Sequence, residues 1–105
     1  MSYREKDIIE RVIKDFGDHH NEVLIRFETM LRKEPYLDHP RYIRCIIHQS
    51  QGSLSQLEES IEIAKQDPRD IMLYAEFIEL ENGNWRRVRN FNNTFERSTE
   101  DLENC

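Results

Sequence analysis

Cys45 and His48 are the pair in this chain whose types and spacing most directly suggest chemistry. Three residues apart on a helical pattern, they fall on adjacent turns, where a thiolate and an imidazole reach a single ion. His19, His20 or His39 would have to complete that ligand set. The separations match no zinc-binding pattern, and Cys45 borders an apolar stripe, where a free cysteine packs as a small hydrophobe. Cys45 and His48 therefore stand as metal candidates with an incomplete ligand set, and no metal or cofactor is assigned. A di-iron carboxylate site has less support still, because no histidine has a glutamate three residues before it.

A second group, Asp15, Asp18, His19, His20 and Glu22, has the composition of an acid–base cluster. Its position at a helix boundary gives these side chains capping and dipole roles instead. Three isolated glycines cannot form a phosphate-cradling loop. With no complete catalytic constellation, the expectation is a non-enzymatic protein, and a metal-dependent enzyme is carried only as a remote alternative.

The strongest binding candidate is the run from Trp85 to Phe95, in which Trp85, Arg86, Arg87, Arg89 and Phe91 are the assigned partner-binding residues. Arginine and tryptophan dominate the energetics of protein interfaces, and arginines interleaved with aromatic rings also grip phosphates and stack on bases. Of the two functional readings protein contact comes first and nucleic acid is the alternative. A purely structural account is placed ahead of both: Trp85, Phe91 and Phe95 anchor the segment while its arginines pair with Glu76, Glu79, Glu81 or other acids.

Helices must position these residues. Ser2 and Glu5 have capping-box spacing, and Ile8, Ile9, Val12, Ile13 and Phe16 recur at helical intervals behind them. Gly17 suits a helix stop and Asp18 the next cap, ahead of Val23, Leu24, Phe27, Met30 and Leu31. Pro35 to Pro40 reads as a connector. Asp38 or His39 caps a third helix bearing Tyr42, Ile43, Ile46 and Ile47, and Gly52–Ser53 turns it into a fourth with Leu54, Leu57, Ile61 and Ala64. Asp67–Pro68 starts a fifth, expected to run to Leu80 and to be the central helix, since it is apolar on nearly every side. Asn82–Gly83 fits either its C-cap, the preferred reading, or a two-residue hairpin turn that sets Glu79 opposite Arg86 and Leu80 opposite Trp85.

The fold class expected is all-α: a compact bundle of about five helices with an irregular aromatic and arginine-rich C-terminal segment packed on it. A chain of 105 residues, 37% apolar and 34% charged, suffices for one core without staples. The division expected is a single helical domain over 1–96 and a frayed polar tail over 97–105. A net charge of −6 disfavours phosphate backbones and anionic membranes, and no apolar run reaches the roughly 20 residues needed to span a bilayer. The start carries no apolar signal region, and Cys45 and Cys105 make no disulfide framework. The expectation is a cytoplasmic protein-interaction or regulatory module, with a homodimer allowed by its apolar surface.

Overall fold

The computed structural model describes residues 1–100. Five α-helices occupy the order the sequence predicts: α1 (Lys6–Phe16), α2 (His20–Lys33), α3 (Pro40–Ser50), α4 (Leu54–Gln66) and α5 (Pro68–Glu76). Short 3-10 turns at Ser2–Arg4, Gly17–His19 and Pro35–Leu37 link or precede them. A two-stranded antiparallel sheet follows, β1 (Phe77–Glu79) with β2 (Trp85–Arg87). The molecule is mainly α-helical, as the composition and periodicity indicate.

Three starts follow their sequence signals. His39 accepts from Arg41 N–H at 3.1 Å with Pro40 in the first turn, Ser53 accepts from Gln56 N–H, and Asp67 accepts from Arg69 N–H at 2.9 Å. Each relieves one of the N–H groups a first turn leaves unpaired. Two other starts depart from expectation. Ser2 does not close a capping box with Glu5; its N–H and hydroxyl both bond the Asp38 carboxylate, at 2.7 and 2.6 Å, tying the N-terminus to the connector before α3. Asp18 lies inside a 3-10 turn, so α2 begins two residues later.

The central helix is α3, not the stretch from Asp67 to Leu80. Ile43, Arg44, Cys45, Ile46, Ile47 and Ser50 are all buried, because α1, α4 and α5 each pack on α3. Gly52 permits this arrangement: at φ +76° it lies against α1, where a Cβ would stand 2.6 Å from the Asp15 carbonyl oxygen. In α5 only Ile71, Ala75 and Glu76 are buried, and the helix stops at Glu76. Phe77 and Ile78 are residue types that suit a pleated strand, and the Glu76 carbonyl finds its partners outside the helix, accepting from Val88 N–H at 2.8 Å and Arg89 N–H at 3.1 Å.

Asn82–Gly83 is accordingly a hairpin turn and not a helix cap. Its register differs by one residue from the two-residue alternative: Glu79 pairs with Trp85, Ile78 with Arg86 and Phe77 with Arg87. Leu80 N–H donates to Asn84 and Gly83 N–H to Leu80, leaving Glu81, Asn82 and Gly83 as a three-residue loop. Gly83 adopts φ +83°, the left-handed residue such a loop requires. The chain then folds back over the helices, burying Phe91 and Ser98. Ser98 accepts from Asn90 N–H at 2.8 Å; of the tail expected to fray over 97–105, the part from 101 onward, with Cys105, lies outside the described residues.

Candidate functional site

Glu76 is the hinge pin between the helices and the hairpin. Its side chain has no exposure, and a carboxylate in that position must be paired and fully hydrogen-bonded to remain charged. It is both. Oε1 accepts from Arg41 Nη2 at 2.6 Å and Arg87 Nη2 at 2.8 Å; Oε2 accepts from Arg41 Nε at 2.9 Å and Phe91 N–H at 3.0 Å, with the Cys45 thiol 3.8 Å away. Burial pushes the Glu76 carboxyl upward, but the hydrogen bonds from Arg41, Arg87 and Phe91 N–H outweigh it and hold the group below the usual carboxylate range. The bidentate Arg41 fork supplies geometry as well as charge. One residue thereby fixes α3, α5, β2 and the segment after it.

Asp7 forms a second node. Arg44 donates to its two oxygens at 2.9 and 3.0 Å, Phe95 N–H donates at 3.1 Å, and the remaining Arg44 nitrogen reaches the Phe91 carbonyl at 3.1 Å. Although partial burial raises it, these bonds carry the Asp7 carboxyl below its ordinary value. Between the nodes Phe91 is enclosed, its ring 5.3 Å from His48 and 5.5 Å from Phe95, while Arg11 stacks 4.7 Å over Phe95. The strap from 88 to 98 is therefore held by two ionic nodes and an aromatic cluster.

The five residues assigned to partner binding separate into two groups. Phe91 is core, Arg87 is committed to Glu76 and stacks over Phe77, and Arg89 is half-buried and donates to the Ala75 carbonyl. Trp85 and Arg86 remain on the surface: Trp85 is 45% exposed, and the Arg86 guanidinium has no ion pair or hydrogen bond among the described residues. Ile78 and Leu80, on the opposite strand and its continuation, are exposed as well. In a strand, side chains alternate between faces, so Ile78 and Arg86 share one face while Glu79 and Trp85 share the other with Phe77 and Arg87. The segment from Trp85 to Phe95 carries three arginines and no acid, so a chain of net −6 is −9 everywhere else.

Cys45 and His48 do not face a common point. The Cys45 thiol is turned into the core beside Glu76, where burial and that carboxylate push its pKa far upward, the opposite of what a ligand or nucleophile needs. His48 lies against Phe91, and burial together with the nearby Arg89 and Arg11 lowers it to about 4. His39 caps α3, His20 contacts the Gly17 carbonyl, and His19 pairs with Glu22. Among the described residues no group of three His, Cys, Asp or Glu side chains converges as a metal site. Asp15 of the acidic turn is paired with Arg11 at 2.9 Å. A cleft of about 550 Å³ between α1 and Thr94–Glu96 is open and walled mainly by surface charges such as Lys6, Glu10 and Lys14.

Sequence reasoning anticipated an acid on α5 facing the arginines of the strap, but not Arg41, Arg44 or Asp7. The available signal was Arg44 itself, a cation set among Ile43, Cys45, Ile46 and Ile47 on a helix, which has to find a buried anion. No family model matches the chain, and no curated protein or solved structure matches it with significance. No helix among the described residues is long and apolar enough to cross a membrane.

Proposed function

We propose that this is a small cytosolic, non-enzymatic interaction module whose contact surface is the projecting hairpin of β1 and β2. The observation that carries the reading is the exposure of Trp85 and Arg86 on a hairpin whose root is clamped by Glu76. Tryptophan and arginine are the residue types that concentrate binding energy at protein interfaces, Arg86 has no partner among the described residues, and a clamped root means little conformational freedom is lost when they bind. Ile78 and Leu80 extend the apolar area beside them.

The nucleic-acid alternative loses most of its support, because two of the three arginines it needs are bonded within the protein and the surface elsewhere is acidic. Co-purification from the native cell, comparing the wild-type chain with a Trp85→Ala, Arg86→Ala double variant, tests the proposal. Partners held by the wild type and lost by a double variant with unchanged urea midpoint are expected. Equal capture by both proteins, or capture of no partner by either, defeats the reading.

A further inference from the structure

The hairpin has two open edges, and they are not equivalent. The ladder bond from Leu80 N–H to Asn84 and the bond from Val88 N–H to Glu76 fix the alternation, so Ile78 and Arg86 bond each other while Phe77, Glu79, Trp85 and Arg87 direct their backbone groups outward. On β1 the outward N–H of Phe77 is already spent on the Leu73 carbonyl, closing α5. On β2 the N–H and C=O groups of both Trp85 and Arg87 face away from the pair and meet no partner among the described residues. Such a row of four unpaired groups is a template for another strand.

The side chains of β2 define what that strand carries. Arg86 stands on one face without a counter-ion among the described residues, and Trp85 stands on the other, half-exposed. An added strand places an acidic residue across from Arg86 and an apolar one beside Trp85, which is a period-two alternation of acid and hydrophobe. A basic peptide makes the same backbone bonds but is repelled by Arg86, and a nucleic acid has no peptide backbone to pair with the edge. Resting on the interaction-module reading above, we infer that the edge of β2 accepts an extended segment of a partner protein with alternating acidic and apolar residues, by strand addition.

The test uses the wild-type protein and two capped heptapeptides, acetyl-EVEVEVE-amide and its Lys-for-Glu counterpart, with titration and residue-level amide exchange followed by NMR. Strand addition predicts at least about tenfold preference for the acidic peptide, slowed exchange of the Trp85 and Arg87 amides on binding, and reversal of the charge preference in Arg86→Glu. No binding of the acidic peptide, or no charge preference, overturns the inference. Acidic-peptide binding that leaves the Trp85 and Arg87 amides unprotected also overturns it while sparing the parent reading, since side chains alone would then make the contact. Sedimentation of the free protein as two chains with those amides already protected overturns it too, by placing a second copy on the edge.

Discussion

Replacing Glu76 with glutamine removes the charge at the centre of the molecule and changes almost nothing else in shape. The amide oxygen in the Oε1 position still accepts from Arg41 Nη2 and Arg87 Nη2, but its NH2 group now points at the donors that Oε2 satisfied: Arg41 Nε, Phe91 N–H and the Cys45 thiol. Removing one member of a buried ion pair costs about 3 to 5 kcal/mol when the partner charge stays buried. Here the arginines are not fully trapped: the Arg41 side chain is 27% exposed and that of Arg87 35%, so both can turn partly toward water. The Phe91 N–H is buried and cannot, and one unsatisfied buried donor costs about 1 to 3 kcal/mol. A loss of about 3 kcal/mol follows, a large share of the roughly 5 to 15 kcal/mol expected for a domain of this kind. Urea unfolding of both proteins at pH 7.5 measures it, and fluorescence of Trp85, the sole tryptophan, reports whether the hairpin loosens before the helices. A Glu76→Gln protein within about 0.5 kcal/mol of wild type, a difference typical of innocuous surface changes, would refute the idea that this carboxylate holds the hairpin and strap.

Three further outcomes are expected. Gly52→Ala forces a Cβ to within 2.6 Å of the Asp15 carbonyl at a left-handed backbone position, and a loss of about 2 kcal/mol or more should appear in the urea midpoint. Phe91→Ala empties the aromatic cluster and should cost about 3 to 5 kcal/mol in the same assay, whereas Trp85→Ala should cost little because its ring is half in water. Acid should weaken the fold in stages. His48, held near 4 in the folded state, binds a proton earlier when unfolded, so its contribution is complete above about pH 6.5 and declines toward pH 4, by about 1 to 2 kcal/mol between pH 7.5 and 5. Glu76 and Asp7, both lowered, contribute above their ordinary values and lose that contribution only at lower pH. His48→Gln should abolish the first stage alone, as read from urea midpoints at the two pH values.

Helix placement was legible because capping and periodicity act within a few residues: His39–Pro40, Ser53 and Asp67–Pro68 each announce a start the structure uses. The end of α5 was not. Ile71 to Leu80 is apolar enough to satisfy a buried helix, and only the long-range demand of the Glu76 carbonyl for Val88 and Arg89 separates helix from strand. Overall apolarity also misassigned the central position, since Tyr74, Ile78 and Leu80 face solvent while α3, with two arginines in its first half, is the enclosed helix. Those arginines read as surface charges until Asp7 and Glu76, dozens of residues away, are seen to neutralise them. For the candidate segment, residue types alone do not say which arginines are left open; that depends on tertiary pairing: Arg86 has no partner among the described residues, whereas Arg87, its neighbour, points the other way to Glu76.

Residue-resolved amide exchange of the free protein tests most directly whether a clamped root presents an open edge. Val88, Arg89, Phe91 and Phe95, bonded to Glu76 and Asp7, should exchange slowly, while Trp85 and Arg87 exchange near the rate of unprotected amides. Fast exchange throughout 88–95, or protection at Trp85 and Arg87 in the monomer, would contradict it.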